Sequence, residues 1–371
     1  MTPEENERLA RIGPGTPAGN LMRRYWWPVW FSELTADKPV PVRLLGEDLV
    51  LFRDASGAAA LLDRRCPHRG ASLDLGRVED DGLRCCYHGW KFAGDGRCLE
   101  MPAEPPGSPL VAETRTTAYP TQEAGGLVFA YLGPDPAPQL PRYDNLFRGD
   151  CIRRVSASFE QCNWMQRAEN AVDQMHSIAL HAAVYPEFAL KRPEVDWQRT
   201  WYGVRAAFKV PDGAAKVSHF IFPSHSRYFG ARVNEDASHN CNLRVPVDDV
   251  TTLTFSIRLR EARGKGDELI TAGLREVEPG RYQRVEDGWW GLASRDQDRA
   301  CQESQGPIAD RSREILGTSD RGVIMFRRML SEAIDAVERG EDPPGILRGA
   351  GDDIITFDAQ KIRDDGEVIE A

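Results

Sequence analysis

The segments Cys66-Pro67-His68 and Cys85-Cys86-Tyr87-His88 decide how this chain is built. They read C-x-H and C-x-x-H, and sixteen residues separate them. Each segment offers one thiolate and one imidazole, so together they provide two ligands of each kind. In a Rieske 2Fe–2S centre, one iron is bound by two cysteines and the other by two histidines. The pattern therefore indicates a Rieske cluster.

These segments have two other interpretations. A structural zinc site is possible in principle, but zinc sites usually pair like ligands, as in C-x2–4-C with H-x3–5-H. A chance alignment of buried cysteines with hydrogen-bonded histidines is the other. Within the second segment, Cys86 could replace Cys85, because Cys86-Tyr87-His88 is itself C-x-H. The C-x-x-H spacing favours Cys85 and predicts Cys86 as a small buried residue beside the cluster.

The composition is that of an ordinary globular protein, with 371 residues and 41% hydrophobic content. This length is enough for two domains with their own cores. The sequence has neither an apolar run of transmembrane length nor a signal peptide, so a cytoplasmic location is expected. The net charge of −10 argues against nucleic acid or an anionic membrane as partner. Eight cysteines are too few for a disulfide scaffold, and the six outside the cluster are expected to be reduced.

Short strands and turn signals between residues 39 and 132 predict a small antiparallel β domain. Gly46-Glu47 and Gly94-Asp95-Gly96 mark hairpin turns, and both metal-ligand segments are expected at hairpin tips. A helix over residues 3–12 is expected to begin with Thr2 as its N-cap.

A second group of metal-binding residue types lies in a segment predicted to be helical from Asn163 to about Ala183. Asp173, His176 and His181 read D-x-x-H-x4-H. On a regular helix, residues five apart differ by about 140° around the axis. Both histidines can reach one metal only if the helix bends, widens or ends between them. We therefore predict a helix irregularity near Ser177–Leu180.

Two histidines and one carboxylate form the facial triad of non-haem Fe(II) oxygenases, which leaves adjacent coordination positions open. The carboxylate is expected from elsewhere in the chain, because Asp173 is better placed to orient His176. Alone this motif is weak, since histidines often lie on an exposed helix flank. Downstream of a Rieske motif it is far more specific, because an electron-delivering cluster and an oxygen-activating iron need each other.

A proline-rich connector at residues 133–141 marks a domain boundary. Beyond it, strand-like runs alternate with helical ones, including a helix predicted over 322–339. The predicted fold class is α+β, with an antiparallel sheet flanked by helices after the small β domain. The predicted division is an N-terminal helix and lead-in at 1–20, a Rieske domain at 21–145 and a mononuclear iron domain at 146–371.

Both motif runs resemble those of a known family, the α subunits of Rieske non-haem iron oxygenases, also called aromatic-ring-hydroxylating oxygenases. The matching runs are C-P-H-R-G with C-x-Y-H-G-W, and N-W-x-Q-x-x-E-N-x-x-D-x-x-H-x4-H. The chain is most similar to the phthalate dioxygenase-like branch, which includes O-demethylases, and the resemblance spans essentially the whole chain. It implies a terminal oxygenase that hydroxylates or oxidatively demethylates a small aromatic substrate, such as a carboxylic acid, within aromatic catabolism.

The resemblance implies ligands for two cofactors, a Rieske 2Fe–2S cluster and a mononuclear Fe(II). For the cluster it implies Cys66 and Cys85 on one iron, with His68 and His88 on the other. It also implies a head-to-tail ring, typically a homotrimer. There Asp173 would link His176 to the partner subunit's His88.

For the mononuclear iron, the resemblance implies His176 and His181 with a downstream aspartate. Asp298 fits that position best, Asp296 is the second choice, and Asp310 is a weaker one.

An electron donor is expected to be a separate protein. The chain contains no flavin or nicotinamide fingerprint and no plant-type C-x4-C-x2-C run, so a separate reductase of flavin or ferredoxin type is implied. The alternative function is a Rieske electron carrier whose C-terminal domain serves only for docking.

The substrate cannot be named from the sequence. Four cationic or titratable residues lie where the cavity is expected and could hold a carboxylate, although such residues are more often at surfaces or strand ends. They are Arg205, His219, Arg227 and Arg232.

Overall fold

The computed structural model describes most of the chain. The described residues are 1–34, 38–182, 191–209, 215–230, 238–262, 264, 266–275, 292, 294–349, 351–357, 361–362 and 368–369. Within them, no helix is both long enough and apolar enough to cross a membrane.

Two short helices open the chain, α1 (Pro3–Ala10) and α2 (Pro17–Met22). The predicted N-cap of α1 is confirmed. Thr2 Oγ1 accepts a hydrogen bond from the Glu5 N–H (3.2 Å), and the Thr2 N–H donates to Glu5 Oε2 (2.7 Å). This reciprocal pair satisfies two of the free N–H groups at the helix start.

Three small antiparallel sheets occupy the first part of the chain, in the orders β1-β11-β10, β2-β3-β4-β9 and β5-β6-β7-β8. The strands and intervening helices are β1 (Trp26–Phe31), β2 (Val40–Leu44), β3 (Glu47–Arg53), β4 (Ala59–Asp63), β5 (Arg77–Glu79), β6 (Gly82–Arg84), β7 (Lys91–Phe92), β8 (Cys98–Glu100), α3 (Pro109–Glu113), β9 (Ala118–Tyr119), β10 (Thr121–Ala124), β11 (Leu127–Tyr131) and α4 (Asp144–Phe147). The two predicted hairpins are confirmed as β2–β3 and β7–β8.

The second part contains an eight-stranded sheet in the order β13-β14-β15-β16-β17-β18-β12-β19, with helices packed on it. Its elements are β12 (Cys151–Glu160), α5 (Trp164–Val172), α6 (Ser177–Leu180), β13 (Glu194–Arg199), β14 (Gly203–Lys209), β15 (Ala215–Ile221), β16 (His225–Gly230), β17 (Ser238–Pro246), β18 (Thr252–Glu261), β19 (Glu268–Leu274), α7 (Ser294–Ser304) and α8 (Arg321–Glu338), followed by the pair β20 (Lys361–Ile362) and β21 (Val368–Ile369). All pairings in the large sheet are antiparallel except β12 with β19. The predicted α+β class and the long helix α8 are confirmed.

The two faces of the large sheet differ because successive strand residues point to opposite sides. Phe255 and Ile257 on β18 are fully buried in the main core. There Phe255 packs edge-to-face on Phe31 of β1, with ring centroids 5.4 Å apart. The main core therefore joins the large sheet to the sheet that contains β1.

A second hydrophobic core lies around the cysteine–histidine segments. It includes Val50, Phe52, Cys66, Cys85 and Trp90, and it is separate from the main core. The cysteines are thus buried in a small unit of their own, apart from the large sheet. The division at residues 20 and 145 stays a prediction.

Candidate metal centres

The two cysteine–histidine loops are closed by the same pair of backbone hydrogen bonds. Gly70 N donates to the Cys66 carbonyl (2.9 Å), and Gly89 N donates to the Cys85 carbonyl (3.1 Å). In each loop the cysteine N–H also donates a hydrogen bond to the backbone carbonyl of the residue after the glycine, at 2.9 Å in the first loop and 2.8 Å in the second. Both glycines have a positive φ, +72° and +74°, a conformation that costs glycine little. Two turns of the same construction therefore present the two donor pairs.

The loops differ in what they connect. The second joins β6 to β7, so it lies at a hairpin tip as predicted. The first leads from β4 to β5, which belong to different sheets, and an isolated bridge between Arg65 and Ser72 closes it. The expectation of a hairpin tip is wrong for this loop, because a long connection between sheets can be closed by one bridge without forming a ladder.

The four donors of the two loops lie together. Cys66 and Cys85 are almost fully buried, and the rings of His68 and His88 are 4.4 Å apart between centroids. Trp90 stacks on His68 at 4.4 Å with an interplanar angle of 7°. Together the two loops offer two thiols and two imidazoles, which is the donor set of a Rieske cluster.

Two observations fit a metal cluster at this place. His68 Nδ1 is buried and has no hydrogen-bond partner among the described residues, although buried polar atoms are nearly always paired. Burial, together with the adjacent Cys85 thiol, raises the pKa of the Cys66 thiol to about 11. A cation would supply the missing partner for the imidazole and stabilise the thiolates.

Cys86 does not lie where the sequence suggested. It is exposed, as is the neighbouring Tyr87. The prediction of a buried Cys86 is wrong because Cys85 takes the inward position of the turn and the next residue points outward.

The second centre brings together two neighbouring histidines and an aspartate that is distant in sequence. The ligand-type atoms of His176, His181 and Asp298 all lie within 4.8 Å of one another. Asp298 Oδ1 is 3.5 Å from His176 Nε2 and 3.2 Å from His181 Nε2. Two imidazoles and one carboxylate converge in the arrangement of a facial triad.

The helix that leads to the histidines ends earlier than predicted. α5 stops at Val172, and Asp173 is its C-cap with an extended ψ of 103°. His176 and His181 then stand at the two ends of the single turn α6. The predicted irregularity at Ser177–Leu180 is wrong in position, since the break comes before His176. The sequence places the break too late because its helical pattern continues through Asp173. The end of the predicted helix, Ala183, lies outside the described residues.

Each histidine is oriented by a hydrogen bond at its other ring nitrogen. His176 Nδ1 is 2.6 Å from the Asp173 backbone carbonyl, and His181 Nδ1 is 2.9 Å from Gln297 Oε1. The Asp173 carboxylate is 3.8 Å from His176 Nδ1 and accepts a bond from the Met175 N–H. Asp173 thus orients His176 through its carbonyl, where the sequence suggested its carboxylate.

Of the three candidate aspartates, only Asp298 reaches the histidines. Asp296 forms a two-bond ion pair with Arg275 at 3.1 and 3.0 Å. Asp310 accepts from the Ser312 N–H and caps a short 3-10 turn. Asp296 and Asp298 are separated because residues two apart on α7 point to different sides, and Asp310 lies beyond the end of that helix.

The electrostatics keep Asp298 ionised. Burial acts to raise the pKa of this carboxyl, but His181, His176 and Arg167 outweigh it, so the pKa is lowered. Conversely, burial acts to lower the pKa of His181, but Asp298 outweighs it and the pKa is raised. An ionised carboxylate beside two imidazoles offers the negative charge and the donor atoms that bind a cation.

The motif that precedes the histidines tethers α5 to distant parts of the chain. Asn163 caps α5 and donates to the carbonyls of Ala10 (3.0 Å) and Asp249 (2.7 Å). Gln166 Nε2 donates to the Gln302 carbonyl (2.8 Å), which ties α5 to the helix that carries Asp298. Asn170 Nδ2 reaches Asp298 Oδ1 directly at 3.3 Å.

Glu169, in the same motif, has a structural role. It accepts bonds from Arg311 at 2.8 to 3.1 Å and from Arg327 at 2.7 Å. Arg311 is fully buried and also donates to Asn6 on α1. The carboxylate thereby joins α1, α5 and α8, and sequence reasoning missed both arginines because they lie more than 140 residues away.

Of the four residues that could hold a carboxylate, the structure describes Arg205, His219 and Arg227. Arg205, His219 and Arg227 lie side by side on one face of the sheet. Arg227 pairs with buried Asp144 through two hydrogen bonds, and His219 Nδ1 is 2.7 Å from the Tyr202 hydroxyl. The charge of Arg227 is therefore already paired within the protein. Arg232 lies outside the described residues.

Arg244 was missed, and it lies on the opposite face. Its Nη1 donates to Ser226 Oγ (2.8 Å), the neighbour of Arg227 on β16, so the two arginines point to different sides of the sheet. The alternation Asn240-x-Asn242-x-Arg244 could have revealed a polar strand face in the sequence.

The comparisons with known proteins agree with this geometry. The Rieske [2Fe-2S] domain family matches residues 26–120, and the family described as LigXa C-terminal domain like matches residues 287–359. The chain is 36% identical to the 5,5'-dehydrodivanillate O-demethylase oxygenase subunit of Sphingobium sp. (strain NBRC 103272 / SYK-6), over 94% of this chain and 84% of that protein. It is 33% identical to the phthalate 4,5-dioxygenase oxygenase subunit of Pseudomonas putida, over 93% and 89%.

The chain belongs to the Rieske non-haem iron oxygenases, as an oxygenase α subunit of the phthalate dioxygenase-like branch. It is an enzyme of that type, whose cofactors are a Rieske 2Fe–2S cluster and a mononuclear iron. Its fold matches NdmA of Pseudomonas putida CBB5, solved with caffeine, with a TM-score of 0.71 at 21% identity over 90% of this chain and 99% of that one.

The contacts of Glu169 with Arg311 and Arg327, here called the Glu169 tether, lead to a prediction about stability. Glu169→Gln would leave two largely buried guanidinium groups without their shared carboxylate, which should cost about 3–5 kcal/mol in the free energy of unfolding. Denaturant unfolding measures this. As a control, Glu332→Gln removes an exposed partner of Arg199 and should change stability by about 0.5 kcal/mol or less. Equal stability of the two variants would contradict the tether.

Proposed function

We propose that this chain is a terminal oxygenase that uses O2 and electrons from a separate protein to hydroxylate or oxidatively demethylate a small aromatic acid. The observation that carries the proposal is the presence of two donor sets in one chain. One is the buried pair of thiols beside two imidazoles, and the other is His176, His181 and Asp298. A pure electron carrier has no need for the second set.

In this proposal Cys66 and Cys85 hold one iron of the cluster, and His68 and His88 hold the other. His176, His181 and Asp298 hold the mononuclear iron. When bound, the cluster supplies single electrons and the mononuclear iron activates O2 for insertion into the substrate. The electron donor is a reductase or ferredoxin, and one solved neighbour is an oxygenase–ferredoxin complex of carbazole 1,9a-dioxygenase with a TM-score of 0.64. The six cysteines outside the proposed cluster form no disulfide among the described residues, which agrees with a cytoplasmic location.

We propose further that Asp173 passes electrons between subunits of a head-to-tail homotrimer. Asp173 and His176 line a cleft of about 500 Å³ whose other walls include Leu316 and Val323. His88 lies beside Tyr87, which is 56% exposed, so the cluster loop is free to enter such a cleft on another subunit. Asp173 would then connect His176 with the partner subunit's His88.

Arg244 is the proposed anchor for an acidic substrate. Burial lowers its pKa to about 10, while nearby Arg167 also lowers it and Asp298 acts in the opposite direction. Asp298 likewise acts on Tyr228, so this face of the sheet lies toward the mononuclear site. Among the described residues Arg244 forms no ion pair, and its buried Nε has no hydrogen-bond partner. A buried, unpaired guanidinium near the metal is suited to a carboxylate.

The mononuclear site is tested by two aspartate variants. Asp298→Asn should lower the iron content from about three to about two atoms per chain and abolish substrate-dependent O2 uptake, because the facial triad loses its charged ligand. Asp296→Asn, two residues away, should keep all the iron. Full iron content in Asp298→Asn would refute the assignment, as would its loss in Asp296→Asn.

The Asp173 link is tested by Asp173→Asn. We expect this variant to keep both metal centres, since its backbone carbonyl still orients His176. Its turnover should fall at least about tenfold, because the contact between subunits loses the negative charge that lies between the two histidines. Metal analysis, the visible spectrum and single-turnover oxidation of the reduced cluster measure this, and normal turnover would contradict the proposed link.

The anchoring role is tested by Arg244→Gln with a pair of ligands. Loss of a charge-assisted hydrogen bond of about 2 kcal/mol should weaken binding of an aromatic acid roughly 30-fold. Binding of the corresponding uncharged amide should change little. Arg258→Gln removes an exposed charge from the neighbouring strand and serves as the control. Equal losses for the acid and the amide would contradict the anchor.

A further inference from the structure

Gln297, the residue directly before Asp298 on α7, is fully buried and contacts His181. Its Oε1 lies 2.9 Å from His181 Nδ1, while the other ring nitrogen, Nε2, lies 3.2 Å from Asp298 Oδ1. The two nitrogens of one imidazole are therefore matched to two consecutive residues of the same helix.

The amide oxygen selects one tautomer of the imidazole. A neutral histidine carries its proton on one nitrogen and a lone pair on the other. A carbonyl oxygen only accepts, so the proton must lie on Nδ1, which leaves the lone pair on Nε2 for a metal. If the amide were rotated by 180°, its NH2 would require the lone pair at Nδ1 and the proton at Nε2, and Nε2 could not bind.

The tautomer with its proton on Nδ1 is fixed by a different acceptor at each of the two histidines. At His176 the acceptor is the backbone carbonyl of Asp173, which no substitution removes. At His181 the acceptor is a side chain, so this half of the site depends on the identity of residue 297. Gln297 Nε2 is buried without a partner in the described structure, so the contact with His181 is the hydrogen bond that holds this amide.

We propose that Gln297 is a positioning residue that sets the tautomer and ring orientation of His181 for metal binding. Because Gln297 and Asp298 are adjacent, α7 places one ligand and aligns another at the same time. A neutral amide does this without adding a second negative charge beside Asp298. The inference rests on the proposed mononuclear site.

The test measures Fe(II) affinity in full-length protein with an intact cluster. The mononuclear iron is removed, Fe(II) is returned anaerobically, and the affinity is read by competition with a chelator. Gln297→Leu keeps the size of the side chain but removes the acceptor, and its affinity should fall about 10- to 100-fold. Gln297→Glu restores an acceptor oxygen at the same reach and should recover most of the affinity.

Gln302→Leu is the matched control, because Gln302 is another buried glutamine of α7 that bonds Arg167 rather than a histidine. It should lower thermal stability without lowering Fe(II) affinity. Wild-type affinity in Gln297→Leu would overturn the inference, and so would a loss that Gln297→Glu fails to recover. A wild-type protein that takes up no iron outside the cluster would instead overturn the proposed function, and this inference with it.

Discussion

The partly buried Asp298 carboxylate, held between two imidazoles, is the constraint on which the second half of the structure depends. A buried charge is costly unless it is paired and hydrogen-bonded. Here His176, His181 and Asn170 all approach the same oxygen, Asp298 Oδ1. This convergence requires α7 and the α5–α6 segment to be held in fixed positions relative to each other.

The surrounding contacts hold these two segments in place. Gln166 binds carbonyls on and just after α7, and Glu169 is held by arginines from two later parts of the chain. Asn163 anchors the start of α5 to the N-terminal helix α1. The first helix of the chain therefore supports a metal site built from residues more than 160 positions later. Separate from this framework, the cysteine–histidine loops have their own small core, so the two centres are positioned independently within one chain.

The sequence could predict residues whose chemistry is local. The spacing of cysteine and histidine in two short loops indicates a cluster before any fold is known, and the Thr2 cap and helix α8 follow from local patterns. The break before His176 could not be predicted, because the helical pattern continues past Asp173. The pairing of Arg227 with Asp144 and the role of Gln297 could not be predicted either, since both depend on contacts between segments far apart in sequence.

The same limit applies to the candidate substrate contacts. A list of arginines in a strand-rich segment does not say which face of the sheet each one occupies. Strand register decides this, and it places Arg227 in an ion pair on one face and Arg244 on the opposite face. A shift of one residue in register would reverse the two assignments.

The central claim is that one chain holds both a two-iron cluster and a separate iron site. Quantification of iron and acid-labile sulfide in the purified, fully loaded protein tests it most directly. A chain with both centres contains about three iron atoms and about two sulfides. About two of each, with no further iron taken up, would indicate an electron carrier and contradict the presence of a separate iron site.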